Sequence, residues 1–262
     1  MSDELLFEVR GAIATITLNR PDKLNAFTIA MIDRFIEVLD ACSADDTVRV
    51  IVVTGTGRAF SSGGDNARFA EAEARSAASI KAGVEGNVQR LPRKLAEIDK
   101  PVIAAINGIA VGAGLDIALM CDVRFAAESA RLGEVYARIG LIPGAGGAYY
   151  LPRLVGTARA LEMLWGCENI DASTAERIGL VNHVVPDAEL MARTYEFAER
   201  VANTSPLAVR LIKRLTYRSM ESDLQTALEL VASNMPIVRG SADHLEAVSA
   251  LRDKRVPSFE GR

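Results

Sequence analysis

Apolar and polar positions alternate at the N-terminus. An apolar-rich run over 5–9 leads to Gly11, and Ala14, Ile16 and Leu18 then share one face at period two, which predicts two strands joined at a glycine. Asn19-Arg20-Pro21-Asp22 is turn chemistry. The period then changes to that of a helix: Ile32, Phe35, Ile36 and Leu39 form one stripe, with Thr28 placed as its N-cap. The apolar run 48–53 predicts a strand covered on both faces, ending at Thr54-Gly55. The glycine- and serine-rich stretch 57–65 reads as a loop, and the alanine- and charge-rich stretch 67–95 as exposed helix.

A strand is predicted over 101–106, turned by Asn107-Gly108, and Gly112-Ala113-Gly114 opens a helix running to about Met120. A strand over 123–126, a second glycine-rich connection over 141–147, helical material around 158–165 and a strand over 181–185 follow. From Asp187 onward only helices are expected. Ser205-Pro206 supplies a cap and a first-turn proline, Leu207, Leu211 and Leu215 share a face, and Ser241 caps a last helix bearing Leu245, Val248 and Leu251. Strands alternating with helices, then helices alone, predict an α/β core with a C-terminal helical extension.

Composition narrows the function classes. A chain of 262 residues, 49% hydrophobic and 24% charged, buries a core without metal or disulfide staples. Cys42, Cys121 and Cys167 lack CxxC or Cys/His spacing, so no disulfide framework or metal site is indicated, and a reducing cytoplasm is expected. Thirty basic against 34 acidic residues, with no basic block, leave nucleic-acid binding without an electrostatic footprint. The N-terminus lacks the charged-then-apolar order of a signal peptide. The run 102–120 has the length of a membrane span, but Asn107, Asp116 and glycines 108, 112 and 114 mark a core that changes direction.

Two glycine-rich loops carry the candidate chemistry. As tight turns they need no ligand, and as phosphate cradles they are incomplete. Neither has the GK[ST] of a P-loop, and Gly112-x-Gly114 lacks the third glycine of a dinucleotide fingerprint. A second ligand-binding alternative to the tight-turn reading is an oxyanion hole, two backbone N–H groups from different loops aimed at one oxygen; Gly64 and Ala113 are small enough for it, though spacing alone does not establish it.

At these residues the sequence resembles the crotonase superfamily, the enoyl-CoA hydratase/isomerase family, over about 7–259. The matching stretches are Asn19-Arg20-Pro21-Asp22-Lys23-Leu24-Asn25-Ala26, Ala59-Phe60-Ser61-Ser62-Gly63-Gly64-Asp65, Pro101-Val102-Ile103-Ala104-Ala105-Ile106-Asn107-Gly108, Gly112-Ala113-Gly114, Cys121-Asp122 and 140–147. The resemblance implies a spiral of ββα units over 1–195 and a C-terminal helical oligomerisation region over 196–262, building a homotrimer or hexamer. It also implies an acyl-CoA thioester substrate whose enolate is stabilised by the N–H groups of Gly64 and Ala113. No separate cofactor is implied, coenzyme A being part of the substrate. Asp22, Lys23 and Leu24 fall where the family lines the nucleotide end. Ser62, Gly64 and Asn66 fall where backbone meets adenine and pantetheine, and Lys254 matches a basic residue that reaches CoA phosphates from a neighbouring subunit.

Two positions depart from the hydratase pattern. Hydratases of the family use two glutamates, and the corresponding positions here are Asp116 and Tyr136. Asp116 is still a carboxylate, whereas a tyrosine is a hydrogen-bond donor and a poor base at neutral pH. Glu134, two residues before Tyr136, substitutes only if the local backbone shifts. His183 and His244 lie outside the catalytic motifs. Three functions stay open: a hydratase/isomerase with Asp116 moving the proton and Tyr136 orienting or donating; a decarboxylase or C–C hydrolase of a malonyl- or β-keto-type CoA ester; and a non-catalytic acyl-CoA binder.

Overall fold

The computed structural model describes residues 4–65 and 76–261. Its centre is a six-stranded sheet in the order β1-β2-β3-β5-β7-β10, made of β1 (Leu5–Arg10), β2 (Ile13–Leu18), β3 (Val50–Gly55), β5 (Val102–Ile106), β7 (Val123–Ala127) and β10 (His183–Val185). The first two strands form an antiparallel hairpin at Gly11, whose φ of +59° suits glycine. The remaining neighbours pair in parallel.

Both faces of this sheet are covered, which is why 48–53 and 101–106 read as continuous apolar runs. One face packs against α1 (Ile29–Ala44), where Thr28 accepts the Met31 N–H as expected for a cap, and Phe35 and Leu39 are fully buried. The other face carries α8 (Leu190–Ala202), whose Leu190, Ala198 and Ala202 cover Ile13, Val50, Val52, Ile103 and Phe125.

A second sheet was not foreseen. Four short strands, β4 (Ala59–Ser61), β6 (Ile109–Val111), β8 (Arg131–Gly133) and β9 (Ile170–Asp171), line up in that order. Each of the first three follows a strand of the large sheet, and β6 leads into α4 (Ala113–Met120), giving the winding of ββα units. Segments of three residues or fewer carry no periodicity, so the sequence reads them as parts of glycine loops.

The stretch expected to be exposed helix over 67–95 is described from residue 76 onward. It comprises α2 (Ala77–Gly83), a wide π-type turn at Val84–Val88 and α3 (Arg90–Glu97). The expectation of exposure fails for α3, whose Leu91 and Leu95, four apart, are buried in the core. After α5 (Gly147–Val155), α6 (Thr157–Gly166) and α7 (Ala172–Arg177), the chain beyond Asp187 is helical as predicted. It continues through α9 (Pro206–Ser219), α10 (Leu224–Arg239) and α11 (Ala242–Asp253), with Ser205 and Ser241 as caps. Asp122 anchors α9 by accepting from Lys213 at 2.7 Å and from the Tyr217 hydroxyl at 2.8 Å. All three cysteines are free and buried, and no helix among the described residues is long and apolar enough to cross a membrane.

Candidate active site

The small sheet brings the two glycine loops together. The parallel pairing of β4 with β6 lays 61–64 on the start of α4. At Gly114 a Cβ would lie 2.2 Å from the Ser61 carbonyl oxygen, and at Gly63, whose φ is +91°, it would lie 3.2 Å from the Ala113 nitrogen. The contact at Gly114 admits only hydrogen, and the positive φ of Gly63 favours glycine there.

Gly64 bridges to Phe27 as a single parallel pair. The Phe27 N–H donates to the Gly63 carbonyl at 2.7 Å and the Asp65 N–H donates to the Phe27 carbonyl at 3.1 Å. The Gly64 N–H therefore projects from the opposite edge of the segment. Ala113 is the first residue of α4, so its N–H has no acceptor within the helix. Gly112 before it takes φ +54° and ψ −128°, a combination that glycine alone reaches without strain. Two donors from adjoining loops, one of them at the positive end of a helix, form a candidate cradle for an oxygen that gains charge.

Asn25, fully buried and left-handed at φ +55°, secures the first loop beneath it. Its side-chain nitrogen donates to Thr56 O at 2.9 Å and Ala59 O at 2.7 Å, while Ser61 Oγ donates to the Asn25 carbonyl at 2.8 Å. Arg20 bridges the same loop to Asp65 at 2.9 Å and to Glu4 at 3.1 Å. The sequence carries a partial signal for Asn25, since asparagine tolerates the left-handed region better than most residues.

The expected CoA-binding residues divide. Pro21–Lys23 forms a 3₁₀ turn closed by Leu24 at φ +49°, and Ser62 donates its N–H to the Leu24 carbonyl at 2.9 Å. Lys23, Leu24, Ser62 and Gly64 are thus neighbours, with Asp22 and Lys23 exposed. Asn66 lies outside the described residues. Lys254 is exposed at the end of α11, and no hydrogen bond or ion pair joins it to this turn among the described residues.

The carboxylate chemistry lies one helical turn beyond Ala113. Asp116 is fully buried, and the Tyr136 hydroxyl donates to its Oδ2 at 2.5 Å. Tyr136 is half-buried, with its ring edge against Gly112, where a Cβ would lie 3.9 Å from Cε2 and Cζ. Glu134 is also fully buried and lies near Asp116. A Cβ at Gly147 would lie 2.3 Å from Asp116 Oδ1 and 3.1 Å from Glu134 Oε1, so this glycine makes room for both.

Among the described residues, Asp116 Oδ1 and both Glu134 oxygens lack a donor in hydrogen-bonding geometry. Burial raises Asp116 above the ordinary aspartate range, opposed by the Tyr136 hydroxyl, by Glu134 and by the nearby N–H groups of Ala145 and Gly147. Burial, then the charge of Asp116, raises Glu134 further. The same two causes push the Tyr136 phenol up, so it remains a donor across the physiological range. An aspartate with a raised pKa beside a paired oxyanion cradle has the parts for moving a proton next to a carbonyl.

This class of enzyme site, on a ββα spiral, agrees with what the chain resembles. The model of the enoyl-CoA hydratase/isomerase family matches residues 8–262, and the chain belongs to that family. It is 35% identical over 262 residues to the short-chain-enoyl-CoA hydratase of Clostridium acetobutylicum, covering 99% of each. It is 36% identical to the 1,2-epoxyphenylacetyl-CoA isomerase of Escherichia coli over 263 residues, covering 100% of each. Among solved structures, the enoyl-CoA hydratase of Bacillus anthracis superposes with a TM-score of 0.94 at 34% identity, covering 99% of this chain and 100% of that one. The protein is an enzyme of the hydratase/isomerase type. Its relatives include both activities, so the choice between them rests on the site.

Proposed function

We propose that this enzyme moves a double bond in an acyl-CoA thioester by shuttling one proton, with the enolate oxygen held by the N–H groups of Gly64 and Ala113. The observation that carries the reading is the 2.5 Å hydrogen bond from Tyr136 to Asp116 Oδ2, in a buried site one turn from the Ala113 N–H. Asp116 is the proton-transferring carboxylate and works through that hydroxyl. The carbon acid gives its proton to the Tyr136 oxygen as the phenol proton passes to Asp116, and reversal of the step at the other allylic carbon completes the shift. Atoms balance with no added water. Hydration asks in addition for a second carboxylate facing the substrate, and Tyr136 occupies that place in the sequence. The Asp22–Leu24 turn, Ser62 and Gly64 are assigned to coenzyme A, joined by Asn66 and by Lys254 from a neighbouring subunit.

A homo-oligomer is part of the same reading. Exposed Ile212, Leu224, Leu228, Leu245 and Leu251 leave apolar faces on the last three helices, which further copies of the chain would cover. A monomeric mass in solution would contradict it.

The test is a mass-spectrometric panel of 2-enoyl-, 3-enoyl-, methylmalonyl- and β-ketoacyl-CoA in deuterated water, with wild type and Asp116→Asn. A shifted double bond, lost by about 10²- to 10⁴-fold in Asp116→Asn, is expected. Product heavier by one water makes the enzyme a hydratase instead. Loss of carbon dioxide or C–C cleavage moves it to malonyl- or β-keto-type substrates. Binding without turnover leaves an acyl-CoA binder, and full turnover by Asp116→Asn removes the role given to that residue.

A further inference from the structure

Glu134 is a second buried carboxyl group that the proton shuttle does not use. It follows β8 directly, and its Oε1 converges with Asp116 Oδ1 on the space left by Gly147. The groups that face the pair are few. Asp116 on α4 and Cys167 after α6 face Glu134, while the Tyr136 hydroxyl and the N–H groups of Ala145 and Gly147 face Asp116. No cation is among them within the described residues, and both carboxyl groups are wholly shielded from water. Two neighbouring carboxylates without a counter-ion do not both ionise in such a place, because repulsion and desolvation act together.

A proton between them removes both problems. Among the described residues three oxygens otherwise lack a donor, Asp116 Oδ1 and the two of Glu134. Protonation of Glu134 creates a donor where Asp116 needs one. Glu134 is the member to hold it, since Asp116 Oδ2 already accepts the Tyr136 hydroxyl, and the nearby N–H groups of Ala145 and Gly147 favour the charged form of Asp116.

We infer that Glu134 is a positioning residue that stays protonated and donates a hydrogen bond to Asp116 Oδ1, so that Glu134 and Tyr136 grip the two oxygens of one ionised carboxylate. The kinetic consequence rests on the role proposed for Asp116; the location of the proton does not. The arrangement fixes the carboxylate plane and confines its basicity to the oxygen that Tyr136 covers.

Infrared spectra of the full-length protein at neutral pH read the proton directly. The carbonyl band of a protonated, deuterium-sensitive buried carboxyl group is expected in wild type, absent in Glu134→Gln and retained in Asp116→Asn. No such band in wild type, or a band that survives Glu134→Gln and vanishes in Asp116→Asn, overturns the inference. These spectra need no turnover, so they decide it even if the proton-shuttle reading fails on every substrate.

Turnover supplies the second readout. Glu134→Gln still donates to Oδ1 and is expected to keep the acid limb of kcat/KM within about half a pH unit of wild type. Glu134→Leu removes the donor and is expected to raise that limb by about one to two units, with activity recovering at higher pH. A limb that falls in Glu134→Gln shows that Glu134 was charged, and a limb unmoved in Glu134→Leu shows that it does not act on Asp116; either overturns the inference.

Discussion

Gly114→Ala tests whether the two loops must touch for the site to work. The added Cβ would stand 2.2 Å from the Ser61 carbonyl oxygen and 2.7 Å from its carbon, both main-chain atoms that no rotamer can withdraw. Ordinary contact asks for roughly 1 Å more, so the 61–64 segment must lift from the start of α4. Overpacking of this kind costs about 1–3 kcal/mol of stability. The effect on catalysis is larger in proportion, because the displaced segment carries the Gly64 N–H while Ala113 stays with the helix. Losing one such donor costs ~3 kcal/mol of barrier, about a hundredfold in kcat. The assay is steady-state turnover of the accepted acyl-CoA beside urea unfolding, with Gly166→Ala as control, since a Cβ there meets nothing within 4 Å. Turnover by Gly114→Ala within about threefold of wild type, less than 1 kcal/mol of barrier, would refute the claim that this contact aligns the donors.

Further outcomes follow from single contacts. Tyr136→Phe removes the donor on Asp116 Oδ2 and the relay with it, so kcat near neutrality should fall by at least about tenfold and the acid limb should rise; pH–rate profiles check both. Burial raises Glu134, so the native chain keeps a proton that the unfolded chain releases above about pH 4.3. Stability should then fall with rising pH by up to ~1.4 kcal/mol per unit through that group, and Glu134→Gln should flatten the slope in urea unfolding between about pH 5 and 8. Asp122→Ala strips the acceptor from the Val102 N–H, Lys213 and Tyr217, and should cost about 3–5 kcal/mol, with amide exchange rising first in α9.

What could be read in the sequence depended on length of pattern. The first five strands of the large sheet and the helices beyond Asp187 carry runs or stripes long enough to read, and Thr28, Ser205 and Ser241 cap where their side chains predict. The small sheet stayed hidden because its strands are made of short pieces such as Ala59–Ser61, held by pairing to distant segments. Gly64, Ala113, Asp116 and Tyr136 were legible through motif order, and the structure brings Ala113, Asp116 and Tyr136 together around one helix start. Glu134 was named only as a possible substitute; its approach to Asp116 was not legible, because it depends on Gly147, a residue of the 141–147 connection. Sequence distance gives no measure of such a convergence. The same holds for Asn25, whose partners Thr56 and Ala59 lie 31 and 34 residues away.

The placement of Asp116 on the helix that supplies the Ala113 N–H has an energetic consequence. Before reaction the negative charge sits on Asp116, in the first turn of α4; after proton transfer it sits on the thioester oxygen, in front of the same helix. The charge moves within one fixed field, so backbone dipoles that favour the enolate need not reorient during the step. A cation placed beside Asp116 would break that balance, since it would stabilise the carboxylate before transfer and oppose its protonation. Neutral donors are the alternative: the Tyr136 hydroxyl, the N–H groups of Ala145 and Gly147, and a protonated Glu134 orient the carboxylate while burial keeps it basic. A site built to hold an ion pair would place lysine or arginine where this one places Glu134, and would lose the raised basicity that carbon-acid chemistry needs.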